Sequence, residues 1–458
     1  MNPPAARCAG RIAVLGAVLG ITASALGQST PAPTAVGSDR DQVSTGAPMT
    51  LTLQDALDRA KKNNPEYRAA LTEFGLAKED RVQRRAALLP SASYGAAVLY
   101  TQGNGTPSGR FIANNGVHEY ISEGNAHQSL SLENVAEYQR TRAAQAVAQA
   151  RSQIAARGLV VTVVQAYYGF VVAQQKYATA QRAGNEAQRF LDISQKLEQG
   201  GEVARADVIK AQIQLQQKER DLQEAQLEMD RSRLELAVLV FPNFNENFAV
   251  VDDLQVPQAL PTFAEAQAAA ANNNPELRAA VSALAGARHE VAGAWYGFLP
   301  SLNLDYFYGI DANQFAVGHF DPVAGQPIRN LGYAATATLQ LPVWNWGMNR
   351  SKVKQANLRR EQAEVELSFT QRQLLNKLRT LYEEAQTARA ELDSLNQSAS
   401  LAAESLHLTT LRYRAGEATV LEVVDAQNTF SQQQNAFHDG QVRFRVSLAN
   451  LQTLTGNF

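Results

Sequence analysis

Side chains with catalytic potential are scarce in this chain, and carboxylates are the exception. The only cysteine is Cys8, inside the first residues. No H-E-x-x-H, G-x-S-x-G or phosphate-cradling glycine loop occurs, and the six histidines are scattered. His289-Glu290 is an isolated pair in helical sequence and reads as surface. His118, His127 and His319 fall in polar loop sequence without the spacing of metal ligands. These residues point to no enzyme, no metal and no cofactor. Two places do set acids beside a glycine turn. In the later one, Glu422 and Asp425 follow Gly416, and a spacing of three puts both carboxylates on one helix face. In the earlier one, Asp207 follows Gly201, and Lys210 stands where the second acid would be. Such acids cap a helix N-terminus, worth roughly 0.3 to 1 kcal/mol.

The elements that hold these acids are long helices. From Met348 to Ala415 there is neither Gly nor Pro, which predicts a helix of about 100 Å at 1.5 Å per residue. Leu374, Leu378, Leu381, Ala385, Ala388, Leu392, Leu395, Ala399, Ala402 and Leu406 step by four and three without a slip. That period predicts a left-handed coiled coil. A second seam follows Gly201: Val208, Ala211, Leu215, Leu222, Ala225, Met229, Leu236 and Leu239, with Lys218 and Ser232 as polar interruptions. Val147, Ala150, Ile154, Val161, Val164, Tyr168 and Val171 mark a third. These stripes carry architecture, not chemistry.

The chain repeats with a period of about 210 residues, the sign of a duplicated fold unit. Asn63-Asn64-Pro65-Glu66 returns as Asn273-Asn274-Pro275-Glu276, and Leu89-Pro90-Ser91 as Leu299-Pro300-Ser301. Leu130-Ser131-Leu132 returns as Leu339-Gln340-Leu341, and Gly201-Glu202 as Gly416-Glu417. Each unit predicts a short helix to Asn-Asn-Pro, a helix to Leu-Pro, two strands around a polar loop, and a long helix, Gly turn and helix. Asn64 suits an N-cap and Pro65 the first helical position. The units are expected over 51–252 and 253–458.

The strand segments alternate. Leu302, Leu304, Tyr306, Tyr308 and Ile310 share one face, against Ser301, Asn303, Asp305 and Gly309, with Phe307 out of pattern. Tyr333, Ala335, Ala337, Leu339 and Leu341 do the same in the return segment, and Tyr94, Val98 and Tyr100 more weakly in the first unit. Each run is about 9 to 11 residues, enough to cross a bilayer as a tilted strand. Half-buried strands of a soluble sheet share this period. Four strands cannot close a membrane barrel, whose smallest single-chain examples have eight. If these strands cross a membrane, several chains must share one barrel, because lipid tolerates no open edge. The loops at about 102–127 and 311–331 suit the outer side.

Residues 1–25 read as a secretory signal: Arg7 and Arg11, an apolar run to Ile21, then Ala23-Ser24-Ala25. Cys8 precedes the apolar run, so it is not placed to carry lipid on the mature chain. Residues 26–50 read as a flexible lead-in. A net charge of −2, from 42 basic and 44 acidic residues, gives no footprint for nucleic acid. No later stretch of 18 consecutive apolar residues offers a spanning helix.

The order of elements, repeated twice over about 51–456, resembles the TolC-like outer-membrane efflux protein family. The resemblance implies a mainly α fold with membrane β. Three chains of four strands would form a 12-stranded β-barrel in the outer membrane, continued by an α-helical coiled-coil barrel through the periplasm. It implies a passive exit duct of a tripartite efflux or type I secretion system. The partners would be its own copies, outer-membrane lipid, a periplasmic adaptor protein and an inner-membrane pump. It places Gly201 and Gly416 at the periplasmic tip. Glu422 and Asp425 would ring the gate there, with Asp207 and Tyr413 in a restraining network. Ala418 stands where the family's best-known members carry a gate-locking arginine; Arg205 and Arg414 are the nearby substitutes. A soluble periplasmic coiled-coil adaptor or structural protein is the alternative. It accounts for the helices and the signal, but not for four bilayer-length strands in matched pairs.

Overall fold

The computed structural model describes residues 49–100, 118–243, 246–256, 258–312, 314–321 and 325–456. The signal at 1–25, the lead-in as far as residue 48 and the first inter-strand loop from 101 to 117 lie outside the described residues. The first half runs β1 (Met49–Leu51), α1 (Leu53–Asn63), α2 (Pro65–Ala86), β2 (Ser91–Tyr100), β3 (His118–Leu130), α3 (Leu132–Gln199), α4 (Arg205–Val240) and β4 (Phe248–Val250). The second runs α5 (Phe263–Asn273), α6 (Pro275–Tyr296), β5 (Ser301–Ala312), β6 (Gly318–Asp321), β7 (Gln326–Arg329), β8 (Leu331–Gln340), α7 (Met348–Arg414) and α8 (Val420–Thr455). α3 has 68 residues and α7 has 67, while α4 and α8 have 36 each.

Local chemistry sets the boundaries. Asn64 ends α1 and caps α2, its Oδ1 accepting from the Tyr67 N–H at 2.8 Å. Asn274 repeats this with Leu277 at 2.9 Å. In both, Pro occupies the first helical position, where a missing N–H costs nothing. Thr52 with Asp55 and Thr262 with Glu265 form capping boxes at α1 and α5.

The sheet order is β2-β3-β5-β8, all antiparallel. β3 pairs with β5 across the two halves, with Gly124 opposite Tyr308 and His127 opposite Asp305. Register puts Tyr94, Tyr306, Tyr308 and Tyr333 on one face, with Tyr306 and Tyr333 stacked at 6.2 Å. That apolar face is open: Tyr94, Tyr308, Tyr333 and Leu339 are all exposed. The opposite face carries Ser93, Asn125, His127, Asp305 and Thr336.

Three expectations need correction. β3 begins at His118, so His127 is a strand residue and not a loop residue; its Nδ1 lies 2.7 Å from Asp305 Oδ1. The loop at 311–331 contains the hairpin β6–β7, and β5 extends to Ala312. Met49 and Thr50 are not lead-in, because they pair in parallel with Phe248 and Ala249. That small sheet is held by the buried Tyr167, whose hydroxyl lies 2.7 Å from the Val251 carbonyl oxygen and 3.1 Å from that of Leu51. Burial pushes the Tyr167 pKa up to about 12, so the group stays a donor.

Around Tyr167 sits the largest core cluster, with Leu51, Leu57, Val163, Val164, Phe170, Val171, Leu236 and Phe248. By composition α3 is apolar enough to cross a bilayer, but its apolar centre is this core. Every seam position of α7 from Leu374 to Leu406 is buried or half-buried. In α4 the polar interruptions are buried too: Lys218 pairs with Asp221 at 3.3 Å, and Ser232 donates to the Glu228 carbonyl. Below the core, α4 packs on α3, α3 on α8 and α8 on α7; toward the sheet, α2 packs on α3, α3 on α6 and α6 on α7.

Candidate functional site

The two glycine turns lie together at the end of the helices away from the sheet. Gly201 and Gly416 take φ of +80° and +73°, the left-handed region that closes a helix. A shared apolar knot joins the hairpins there: Phe190 and Leu191 of α3, Val208 and Ala211 of α4, Tyr413 of α7, and Val420 and Val423 of α8. Ala418 packs against it. Val208 and Val423 occupy matching places after their turns, so one apolar shape serves both hairpins.

Tyr413 is the pin of this knot. It is 2% exposed, and its ring lies 5.0 Å from that of Phe190. Its hydroxyl meets Ser194 Oγ at 3.0 Å, while Ser194 donates to the Phe190 carbonyl at 2.9 Å. Burial raises the Tyr413 pKa; the Ser194 bond opposes the shift and the Asp207 carboxylate adds to it. Asp207 itself pairs with Lys210 at 3.4 Å. The direct hydrogen bond of Tyr413 is to Ser194, not to Asp207.

Glu422 is engaged. Its carboxylate accepts from the Thr419 backbone N–H at 3.1 Å, and the Glu422 N–H returns to Thr419 Oγ1 at 3.3 Å, a capping box. Arg412 Nη1 sits 3.4 Å from the other carboxylate oxygen, and its Nη2 donates to the Glu417 carbonyl at 3.0 Å. The Thr419 backbone N–H, then its hydroxyl and then Arg412 hold the Glu422 pKa below the usual carboxylate range. Asp425, one turn on, is exposed and makes no hydrogen bond or ion pair among the described residues.

The arginines sort differently from the sequence expectation. Arg205 pairs with Glu198 across its own turn at 3.2 Å. Arg414 borders a groove with Arg182, Arg189 and His407. The arginine that reaches a candidate gate acid is Arg412. Sequence reasoning missed Arg412, Ser194 and Phe190. Arg412 lies ten residues from Glu422 with a turn between, and Ser194 lies 219 residues from Tyr413. Neither separation leaves a periodic signal. Among the described residues, no cluster of His, Cys, Asp and Glu is arranged to hold a metal.

The chain matches the family described as outer membrane efflux protein over residues 56–240 and again over 267–457. It is 24% identical to the alkaline protease secretion protein AprF of Pseudomonas aeruginosa, over 89% of this chain and 84% of AprF. It is 23% identical to the outer membrane protein TolC of Escherichia coli, over 88% of this chain and 82% of TolC. The fold matches the CmeC outer membrane channel of Campylobacter jejuni with a TM-score of 0.75 at 18% identity, covering 88% of this chain and 85% of that one. With two tandem matches spanning most of its length, the chain belongs to the outer membrane efflux protein family.

Proposed function

We propose that three copies of this chain close into one outer-membrane duct. It receives cargo from an inner-membrane pump through a periplasmic adaptor and is gated where the glycine turns meet. The observation that carries this reading is that every edge of the protomer is unfinished on the same two sides. β2 and β8 are the free edges of the sheet, and every residue in both is exposed. α2, which has no buried residue, shows Leu71, Leu76 and Val82; α4 shows Ile213, Leu227 and Val238. On the other side α7 shows Leu358, Val365, Phe369 and Leu375. Joining β8 and α7 of one copy to β2, α2 and α4 of the next covers these stripes and leaves no sheet edge in lipid. Such a head-to-tail contact generates a ring when its rotation closes. Three copies, the number the family resemblance implies, supply twelve strands.

In that ring the acids face the axis. Glu422 is partly neutralised by Arg412, so Asp425 carries the free charge. A ring of carboxylates favours cation passage and takes up divalent ions. In planar-bilayer recordings, Glu422→Gln with Asp425→Asn is expected to abolish cation selectivity and block by divalent cations, and Asp425→Asn alone to remove most of both. Unchanged selectivity in the double variant would overturn the gate assignment. The mass of the detergent-solubilised protein tests the three copies.

A further inference from the structure

The seams inside the hairpins and the seam between them are chemically different. α7 meets α8 through Leu374, Leu378, Ala388, Phe444, Leu448 and Leu451, an apolar contact. Between the knot at the turns, where Val420 and Val423 meet α3, and the Tyr167 core, where Val442, Val446 and Ala449 do, α8 carries a polar stripe. Gln427, Ser431, Gln434, His438, Gln441 and Arg445 follow one another by four and three. Of these, Gln427, His438, Gln441 and Arg445 are buried. α3 answers with Gln175, Thr179 and Arg182, and the two helices are tied by Lys176 to Asp439 at 2.6 Å. Much of this seam is unsatisfied. The Oε1 atoms of Gln175, Gln427 and Gln441 find no partner among the described residues, and neither do Nδ1 and Nε2 of His438.

His438 is the residue in this seam that titrates near neutrality. It is 8% exposed, and beside it lies Gln441, a side chain that can hydrogen-bond the ring and favours its protonated form. The charges that reach it are Arg182 and Lys176 from α3 and Asp439 from α8 itself. α7 meets this turn of α8 through Leu395, against Gly440. Two cations and one exposed acid surround a buried imidazole, so burial and the two cations disfavour its protonated form while the seam is closed. Burial, with Arg182 and Lys176, lowers the His438 pKa.

We propose that His438 is a proton sensor that biases the α3/α8 seam, so that acidification lets the α7/α8 hairpin move away from α3 and α4 and opens the turn end. The proposal rests on the reading of that end as the gate. Around His438 the parting faces are polar and separation hydrates the imidazole, while at the turn end the movement also has to unpack the apolar knot of Phe190, Val208, Tyr413, Val420 and Val423. The separated arrangement therefore binds the proton more tightly, and lower pH populates it. The ratio of separated to closed changes by about tenfold per protomer for each unit by which the ring's pKa differs between the two arrangements.

The test uses the full-length chain in bilayers with two readouts. Spin labels at Gln188→Cys on α3 and Thr429→Cys on α8 report the seam directly, since Cys8 is the only native cysteine and lies in the signal. Open probability reports the gate. From pH 7.5 to 5.5 the label distance is expected to lengthen in the native background and to stay fixed with His438→Gln, the two agreeing at pH 7.5. Equal lengthening in both, or none in either, overturns the proposal. So does a native transition centred below about pH 5, which belongs to carboxylates. A distance that responds through His438 with no change in open probability upholds the sensor and sinks the gate reading instead. If His438→Gln does not assemble, His438→Asn takes its place in the same comparison.

Discussion

The two turns share one backbone and one apolar core but not one charge pattern. Val208 corresponds to Val423 and Ala211 to Ala426, and all four are buried. Around them the first turn is neutralised within itself, with Glu198 paired to Arg205 and Asp207 to Lys210. Its N-cap position is Ala204, which makes no side-chain cap. The second has Thr419 at the cap, Tyr413 where the first has Glu198, and Asp425 where the first has Lys210. Duplication supplied two equal scaffolds. The difference shows that packing and electrostatics diverged separately: Val208/Val423 and Ala211/Ala426 keep one shape, while Tyr413 and Val420 enter the knot where the first turn has the ion pair of Glu198 and Arg205.

The largest effect that separates the turns is expected at Tyr413 against Glu198. Tyr413→Ala removes a buried ring and a cross-hairpin hydrogen bond, a loss of about 3 to 5 kcal/mol by analogy with other buried aromatics. Glu198→Ala breaks an exposed pair worth about 0 to 1 kcal/mol. Single-channel recordings should show Tyr413→Ala open far more often and Glu198→Ala near the native level. Equal opening in both would mean that the knot does not couple the hairpins.

A smaller effect lies at the caps. Thr419→Ala should cost about 1 kcal/mol at the start of α8, and Ala204→Thr should stabilise α4 by a similar amount. Amide exchange in the first turn of each helix measures both, and the native difference in protection between α8 and α4 should shrink in either variant. No change in protection would show that the knot alone holds these turns.

The smallest expected effect is acid sensitivity of the α8 cap. The Glu422 pKa is depressed in the fold, so its contribution is complete above the unfolded value of about 4.3 and is lost as pH falls through the folded value. First-turn amides of α8 should lose protection below about pH 4, and Glu422→Gln should show no such step. The same step in the variant would assign it to another carboxylate.

Much of the fold was legible before any coordinates because it is written in short-range code. Asn64-Pro65 and Asn274-Pro275 state a helix start within three residues. The α7 heptad states its partner-facing side within seven, and the alternation around Tyr306 states a sheet face within two. His127 was misplaced because its strand runs into a stretch of Gly, Asn and Ser that reads as loop, and only pairing with β5 makes it a strand. The N-terminal β1 was missed because three residues carry no period.

What the sequence determined by itself was the duplicated scaffold, the rod length of the helices and the shortage of catalytic groups. Each depends on spacing along the chain. What only the tertiary structure decided was which polar groups meet. Ser194 finds Tyr413 across 219 residues, Arg412 takes Glu422 and so leaves Asp425 as the open acid, and His438 is buried between α3 and α8 with neither ring nitrogen hydrogen-bonded among the described residues. A helix's periodicity tells which side chains share a face. It does not tell which other helix that face will meet, and a charge or an imidazole gets its chemistry from that neighbour.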